Sequence, residues 1–285
     1  MPTPPGRRAL RRPHLWLITV VAILGVATVP FHFAAAGANG KEVNHTNAKP
    51  TVVLVHGDWA DGSSWNAVTK RLVNRGYNVV VPPNPLRGPT EDSAYLRSFL
   101  ETIQGPIVLA AHSYGGFVIT NAAVGLANIK ALVYIDAFIP DEHDTLFGLV
   151  PGSCLGADPN KVFKQVPVAG GADLYLQIAP NDPYLGFAEC FANGVDPQTT
   201  ALLAATQRPA FSNQATETSG PPAWKSIPSW SLIGTQDHVV PPDAQEFMST
   251  RANATIETVN AGHLSLISRP EAVTKVIEDA VAATS

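Results

Sequence analysis

One serine lies at the centre of the segment 110–116, where the sequence predicts a sharp turn from a strand into a helix. An apolar, β-rich stretch precedes the segment, and a pattern typical of a buried helix follows it. Ser113 is flanked by small residues in the order Ala111-x-Ser113-x-Gly115. Small residues are needed there because so tight a turn brings backbone against backbone. The pattern predicts a nucleophile elbow that presents the Ser113 hydroxyl for covalent catalysis, with Ala111 in place of the usual first glycine.

A nucleophilic serine needs a base, and the base needs an acid that orients it. In chains with this elbow, the acid and then the histidine follow the serine, each after a later strand. Asp237 follows the predicted strand 228–234, and His263 follows the predicted strand 254–259. Both residues leave neighbouring strands at the same sheet edge, so we expect them to approach Ser113. The predicted catalytic residues are therefore Ser113, Asp237 and His263.

Other residues compete for these roles. Asp136, which follows the predicted strand 129–135, is the alternative acid, and Asp237 would then be a turn former or helix cap. His112, inside the elbow, is expected to be structural or to line the pocket. His238, next to Asp237, is expected either to contact the substrate or to lie in solvent.

Backbone N–H groups must stabilise the negative oxygen that develops during acyl transfer. The run 52–55 predicts a strand that enters a turn at Gly57, which is the usual place for the first donor. We expect the N–H groups of Asp58 and Tyr114 to form this oxyanion hole, with the N–H of Trp59 as the alternative first donor. The Asp58 carboxylate would repel the oxyanion, so its side chain is expected to point away.

The chain resembles the small-cap branch of the α/β-hydrolase superfamily, which contains plant methyl esterases, hydroxynitrile lyases and bacterial serine esterases. The resemblance covers nearly everything from about residue 50 onwards. It rests on HGDWADGSSW (56–65), the elbow, VYIDAFIP (133–140) and the segments around Asp237 and His263. It implies hydrolysis of a carboxylic ester or lactone of small to medium size through an acyl-enzyme, without a metal or organic cofactor.

Two other functions remain open. Hydroxynitrile lyases of this branch carry a lysine after the catalytic histidine, whereas Leu264 stands here, and Tyr114 replaces their elbow cysteine. A ligand-binding protein on a hydrolase scaffold is the second alternative, because a fold does not determine function. Epoxide hydrolases and haloalkane dehalogenases need an aspartate at the elbow, so Ser113 excludes their mechanism. The sequence does not identify which ester is the substrate.

Strand and helix patterns alternate along most of the chain. Helix patterns cover 64–74, 92–103, the segment after the elbow, 243–251 and the segment after Pro270, and strand patterns cover 51–56, 77–82, 106–111, 129–135, 228–234 and 254–259. This alternation predicts the α/β class: a mostly parallel central sheet flanked by helices, with ligands at the carboxyl ends of the strands.

The alternation of strand and helix patterns stops between about residues 137 and 225, and this segment is too long for an ordinary loop. We expect an inserted, largely helical cap over the site. Predicted pocket residues are Trp59, Phe138, Trp224, His238 and Leu264. Other apolar residues of the cap, which would line the pocket or pack inside the cap, are Phe147, Leu149, Tyr175, Leu176, Phe187 and Phe191.

The N-terminus differs from the rest of the chain. Four arginines between positions 7 and 12 precede an apolar run at 15–29 and small residues at 34–38. These are the parts of a secretory signal peptide, so residues 1–36 are predicted to be a cleaved signal or, alternatively, a membrane anchor. Residues 37–49 read as a linker, and 50–285 as the hydrolase domain. In an exported protein, Cys154 and Cys190 are expected to form a disulfide, with two buried thiols as the alternative.

Composition narrows the function classes. The 285 residues are 45% hydrophobic and 15% charged, with a formal net charge of −4. This is enough apolar material for one large core with a lid, and it offers no basic patch for nucleic acid. The sequence has no metal-type Cys/His cluster and leaves the oligomeric state open. The expected partner is a small-molecule ester or lactone.

Overall fold

A computed structural model of the protein describes residues 49–178 and 186–284. The predicted signal or anchor (1–36) and nearly all of the predicted linker (37–49) lie outside these ranges. No helix within the described residues is long and apolar enough to cross a membrane. The strands are β1 (Thr51–Val55), β2 (Asn78–Val80), β3 (Ile107–His112), β4 (Ile129–Ile135), β5 (Phe163–Val168), β6 (Gly171–Leu176), β7 (Ala210–Phe211), β8 (Ser229–Gly234) and β9 (Thr255–Val259). The α-helices are α1 (Asn66–Asn74), α2 (Pro89–Leu100), α3 (Tyr114–Ala122), α4 (Leu146–Leu149), α5 (Pro159–Val162), α6 (Pro197–Thr206), α7 (Pro242–Arg251), α8 (Ser265–Ser268) and α9 (Pro270–Thr284).

Six strands form one sheet in the order β2-β1-β3-β4-β8-β9, and every neighbouring pair runs parallel. These are the six strands that the sequence predicts. The runs of valine, leucine and isoleucine in β1, β3 and β4 fit a parallel sheet, because its strands are buried on both faces. The predicted α/β class with a parallel central sheet is confirmed.

The helices cover both faces of the sheet. α1 packs against α8 and α9, whereas α2 packs against α3. From β1 the chain moves one way to β2 and then crosses back to β3 and β4. Because parallel crossovers are right-handed, this reversal places α1 and α3 on opposite faces. Ligands bind at such a reversal, outside the carboxyl ends of the strands on either side, which are β1 and β3 here.

The inserted segment contains a second sheet that the sequence analysis did not predict. β5, β6 and β7 form an antiparallel sheet in that order, accompanied by α4, α5, α6 and several shorter helical turns. A largely helical cap was expected, and the structure adds this sheet to its helices. After the buried Phe163, β5 is exposed and contains Pro167, so it lacks the apolar alternation that identifies a strand.

A disulfide joins Cys154 and Cys190 within the cap, with 5.9 Å between their Cα atoms. The N–H of Cys154 also donates to the carbonyl of His238, at 2.9 Å. His238 follows the predicted acid, Asp237. The crosslinked part of the cap is thus tied to the loop that carries Asp237.

Candidate active site

The turn between β3 and α3 has the backbone geometry of a sharp elbow. Ser113 has φ 54° and ψ −128°, a conformation that is uncommon for a residue with a side chain. Its N–H donates to the carbonyl of Ile135, at 3.3 Å, and its carbonyl accepts from the N–H of Phe138, at 3.2 Å. A Cβ at Gly115 would lie 2.8 Å from the carbonyl oxygen of Val55, so only glycine fits there. Neighbouring strands therefore hold the serine in its strained conformation.

The structure brings the three predicted catalytic residues into one hydrogen-bonded row. Ser113 Oγ lies 2.8 Å from His263 Nε2, and His263 Nδ1 lies 2.8 Å from Asp237 Oδ2. All three side chains are buried. With the proton on Nδ1, the ring donates to Asp237 and its Nε2 is free to accept from the serine. Within residues 49–178 and 186–284, no group of three or more His, Cys, Asp or Glu side chains is arranged to hold a metal ion.

The Asp237 carboxyl is held by donors from its own loop and from α7. Its Oδ1 accepts from the N–H groups of Val239, at 2.8 Å, and Val240, at 2.9 Å. Its Oδ2 accepts from Gln245 Nε2, at 2.9 Å. Gln245, which lies in the first turn of α7, was not identified from the sequence. These contacts fix the carboxyl plane and direct one oxygen at His263.

Asp136, the alternative acid, has different partners. Its Oδ1 accepts from the N–H of Gly234, at 2.8 Å, and its Oδ2 from the N–H of Ser265, at 3.1 Å. It thus ties the end of β8 to the segment after His263 and makes no hydrogen bond to the ring. Burial raises the pKa of Asp136 well above its ordinary value, and the nearby Asp237 raises it further.

Burial also raises the pKa of Asp237, opposed by the N–H groups of Val240 and Val239. Two adjacent buried carboxyls do not both ionise readily. Asp237 accepts from three neutral donors besides His263, including the side-chain amide of Gln245, whereas Asp136 accepts from the backbone N–H groups of Gly234 and Ser265. We therefore assign the negative charge of the pair to Asp237.

His263 is enclosed by aromatic rings. Burial lowers its pKa from 6.5 to about 3, so the imidazole is neutral near pH 7. Its ring lies 4.7 Å from the His112 ring and 5.4 Å from the Phe191 ring. His112 Nε2 donates to the carbonyl of His263, at 2.8 Å, so His112 positions the backbone of His263. Of the two roles expected for His112, this contact supports the structural one.

The loop after β1 adjoins Ser113. A Cβ at Gly57 would lie 2.6 Å from Ser113 Cβ, so the two backbones are nearly in contact. Tyr114 is the first residue of α3, and its N–H has no partner within the helix. The N–H groups of Asp58 and Tyr114 are thus candidates on either side of Ser113, and Trp59 remains the alternative first donor.

The Trp59 side chain joins this loop to the cap. Its Nε1 donates to the carbonyl of Leu174 in β6, at 2.9 Å. Its ring stacks on Phe163, with 6.0 Å between centroids, and meets Phe191 edge-on at 5.8 Å. The cap therefore contacts both the loop after β1 and, through Phe191, the His263 ring.

A cavity with mostly apolar walls opens beside Ser113. It contains about 500 Å³ of empty space, part of it open to solvent. Two predicted pocket residues, Trp59 and Phe138, lie in its wall. The remaining lining residues are Asp58, Leu146, Phe147, Val150, Leu155, Phe163, Leu174, Ala210, Phe211, Gln214, Ala215 and Val239. Most come from the cap, whose contacts the sequence pattern does not specify.

Three predicted pocket residues lie elsewhere. Trp224 turns away, and its Nε1 donates to the carbonyl of Pro140, at 2.7 Å. His238 lies on the outside, with Nδ1 3.0 Å from the carbonyl of Glu189. Leu264 is buried in the hydrophobic core rather than in the cavity wall. Leu264 follows His263 in the sequence, and this position does not determine where its side chain points, whereas Trp224 was assigned only as an aromatic residue of the predicted cap. His238 fits the other expectation stated for it, that it lies in solvent.

The Asp58 side chain also corrects an expectation. Its carboxyl is buried and lines the cavity instead of pointing away. Burial raises its pKa well above the ordinary value, which favours the neutral acid. The expected repulsion applies only to a carboxylate, so it does not prevent this orientation.

A sequence model of the Alpha/beta hydrolase family matches residues 52–276. The chain belongs to this family, as the resemblance inferred from the sequence indicated. It is similar to the carbendazim hydrolyzing esterase of Nocardioides sp. (strain SG-4G), with 34% identity over 112 residues. That alignment spans 35% of this chain and only about half (46%) of the relative. The alpha/beta hydrolase nvfD of Aspergillus novofumigatus is 26% identical over 81% of this chain and 96% of its own length.

Solved structures share the fold. Polyneuridine aldehyde esterase superposes with a TM-score of 0.65 at 18% identity, covering 81% of this chain and 99% of that one. The methylesterase MES16 from Arabidopsis superposes with a TM-score of 0.66 at 15% identity, covering 82% and 99%. A pyrethroid hydrolase from Sphingobium faniae JZ-2 superposes with a TM-score of 0.64 at 19% identity, covering 82% and 98%.

Proposed function

We propose that the protein is a serine hydrolase that cleaves carboxylic esters or lactones of small to medium size. The observation that carries this proposal is the unbroken row of hydrogen bonds from Asp237 through His263 to Ser113, which ends in a cavity with mostly apolar walls. The names of several similar proteins, among them an esterase of Nocardioides and a methylesterase from Arabidopsis, support the same reaction class.

The reaction has two acyl-transfer steps. His263 Nε2 takes the proton of Ser113 as Oγ attacks the carbonyl carbon, and Asp237 stabilises the resulting imidazolium. The N–H groups of Asp58 and Tyr114 bind the oxyanion, and each such donor lowers the barrier by on the order of 3 kcal/mol. Collapse expels the alcohol, which receives its proton from His263. A water molecule, deprotonated by the same base, then attacks the acyl-enzyme and releases the acid and Ser113.

We also propose that the enzyme works outside the cytoplasm. The basic, apolar and small-residue order of residues 1–36 is typical of an export signal. The Cys154–Cys190 disulfide supports an oxidising compartment. Sequencing the N-terminus of protein recovered from the culture medium tests both points, and a mature protein that still begins at Met1 in the cytosol contradicts them.

The experiment that tests the activity compares wild type with Ser113→Ala on 4-nitrophenyl esters of increasing acyl length and on several lactones. Loss of the attacking oxygen should lower kcat by about 10⁴- to 10⁶-fold while circular dichroism stays unchanged. Wild-type protein that binds these compounds without turning them over is a ligand-binding protein. A Ser113→Ala variant of undiminished activity refutes the proposed mechanism.

A further inference from the structure

One residue of the cap contacts both of the loops that carry Asp237 and His263. Asn193 Nδ2 donates to the carbonyl of Gln236, at 2.6 Å, and Gln236 immediately precedes Asp237. On the other side, a Cβ at Gly262 would overlap the carbonyl and the side chain of Asn193. Asn193 therefore packs directly on the residue that precedes His263. The cap thus contacts the backbone just before each of these two catalytic residues.

The hydrogen bond to Gln236 holds the peptide group that leads into Asp237. The carbonyl of Gln236 and the N–H of Asp237 belong to the same planar peptide group. Asn193 donates to this carbonyl, and the N–H donates to the carbonyl of Gly234, at 3.1 Å. Because both ends of the group are bonded, it cannot rotate freely. A rotation of this group would move the Asp237 carboxyl relative to His263 Nδ1.

The two loops are also bonded to each other. The N–H of Gln236 donates to the carbonyl of Ala261, at 2.9 Å. Asn193 spans the same two loops from the cap side. The separation of 2.8 Å between Asp237 Oδ2 and His263 Nδ1 depends on the spacing of these loops. The position of Asn193 therefore bears on the hydrogen bond that orients the His263 ring.

The Cys154–Cys190 disulfide holds the segment that contains Asn193. Cys190 lies three positions before Asn193 in the chain. Cys154, at the other end of the crosslink, donates its N–H to the carbonyl of His238, which follows Asp237. The disulfide thus joins two cap segments that bond to the backbone on either side of Asp237. This linkage preorganises Asn193 against the loop.

We propose that Asn193 is a positioning residue that sets, from the cap, the hydrogen bond between Asp237 and His263. This inference rests on the proposed ester hydrolysis. Asn193 lies outside the wall of the cavity beside Ser113, so it acts through the acid and the base and not on the substrate. Its loss should lower kcat and leave KM nearly unchanged. A displacement of about 1 Å in a positioned group can cost about 100-fold in rate.

The test measures kcat and KM of Asn193 variants on one 4-nitrophenyl ester. Asn193→Ala removes the donor to Gln236 and should lower kcat by about 10- to 100-fold, with KM within about threefold of wild type. Asn193→Asp preserves the packing on Gly262 but turns an oxygen towards the Gln236 carbonyl, so its kcat should also fall. This second variant keeps the test valid if Asn193→Ala does not fold. Wild-type kcat in folded Asn193→Ala and Asn193→Asp overturns the proposal.

Gln207→Ala is the matched control. The Gln207 side chain is also an amide of the cap that bonds to backbone, but its partners are the N–H of Leu176, at 2.9 Å, and the carbonyls of Leu176 and Ala204, both at 3.2 Å. This variant should lose stability and keep kcat within about threefold of wild type. If Gln207→Ala lowers kcat as far as Asn193→Ala does, the effect is a general loosening of the cap, and the proposal is wrong.

A double-mutant cycle tests whether Asn193 acts through Asp237. In Asp237→Asn, the hydrogen bond that Asn193 positions is already changed. Adding Asn193→Ala to this variant should therefore lower kcat by less than about threefold further, because residues that act through one interaction are not additive. A further fall as large as the fall in the wild-type background would mean that Asn193 acts independently of Asp237. That result contradicts the proposal.

Proton NMR supplies a readout that needs no turnover. The Nδ1 proton of His263, hydrogen-bonded to Asp237, should give a low-field resonance that is lost in Asp237→Asn. We expect Asn193→Ala to shift or broaden this resonance and Gln207→Ala to leave it unchanged. An Asn193-dependent resonance in a protein that hydrolyses no ester refutes the proposed function and leaves the positioning role standing. Ester hydrolysis with unchanged kcat and unchanged resonance in Asn193→Ala refutes the positioning role alone.

Discussion

Replacing Asp237 by asparagine tests the acid end of the hydrogen-bonded row. The N–H groups of Val239 and Val240 both point at Oδ1, so the amide oxygen of the new side chain must take that position. The amide nitrogen then occupies the Oδ2 position, 2.8 Å from His263 Nδ1 in wild type. A donor there forces Nδ1 to accept, which moves the ring proton to Nε2. The base can then no longer accept a proton from Ser113.

The expected loss follows from this change of tautomer. In serine hydrolases with this constellation, the same exchange lowers kcat by about 10⁴-fold, which corresponds to roughly 5.5 kcal/mol of barrier. The new amide also faces Gln245 Nε2, which is a second donor. Stability should therefore fall by about 1–3 kcal/mol, the cost of a buried unmade hydrogen bond.

Asp136→Asn is the matched control. Its carboxyl accepts one backbone N–H at each oxygen, from Gly234 and Ser265. An amide can accept a hydrogen bond at only one of the two positions that the carboxyl oxygens occupy. This variant should therefore also lose about 1–3 kcal/mol of stability. Since Asp136 makes no hydrogen bond to the His263 ring, kcat should stay within about tenfold of wild type.

Steady-state kinetics on one 4-nitrophenyl ester, together with urea unfolding of each variant, separates the two roles. We expect both variants to be destabilised and only Asp237→Asn to lose turnover. The opposite order of kcat values would make Asp136 the acid and Asp237 a turn residue, and the assignment of charge to Asp237 would be wrong.

Three more predictions concern the cap, the elbow and the base. Reducing the Cys154–Cys190 disulfide, which links positions 36 residues apart, should remove about 3–4 kcal/mol of stabilisation in the chain-entropy model and raise KM. As a control, a Cys154→Ala/Cys190→Ala protein should not respond to the reductant. An unchanged wild-type KM after complete reduction would contradict a role of the disulfide in holding the cap. Gly115→Ala should lower Tm, because its Cβ would meet backbone at 2.8 Å, whereas Gly156→Ala, with open space around it, should not; equal Tm values would show that the elbow relaxes freely. Because burial lowers the pKa of His263, its imidazole stays neutral as the pH falls through 6.5, so kcat/KM should begin to fall only at lower pH. A pH profile of kcat/KM whose acidic limb is centred at pH 6.5 would contradict this prediction.

Much of the architecture was predictable from local patterns. The apolar runs of β1, β3 and β4 identify buried parallel strands, because both faces of such a strand are covered. The small residues around Ser113 identify a tight strand-to-helix turn. Asp237 and His263 each follow a strand, and the carboxyl ends of parallel strands lie at one edge. The three residues were thus expected to lie together before any distance was known.

The structure of the cap was not predictable in the same way. β5 is exposed and contains Pro167, so its pairing with β6 leaves no apolar alternation in the sequence. Trp224, which the sequence analysis assigned to the pocket, bonds instead to the carbonyl of Pro140. A cap residue's orientation depends on contacts across the fold, and such contacts leave no periodic pattern in the sequence.

The sequence by itself determined the parallel sheet and the strand-to-helix turn at Ser113, because each depends on residues close together along the chain, and it placed Asp237 and His263 directly after two later strands. Only the tertiary structure decided which acid faces His263, since Asp136 and Asp237 both follow strands and differ in their distant partners. It also decided that the Asp58 carboxyl enters the cavity to lie beside Gln214, which is 156 positions later in the chain. Burial in the folded chain shifts that carboxyl towards its neutral form, and no local sequence pattern indicates burial of this kind.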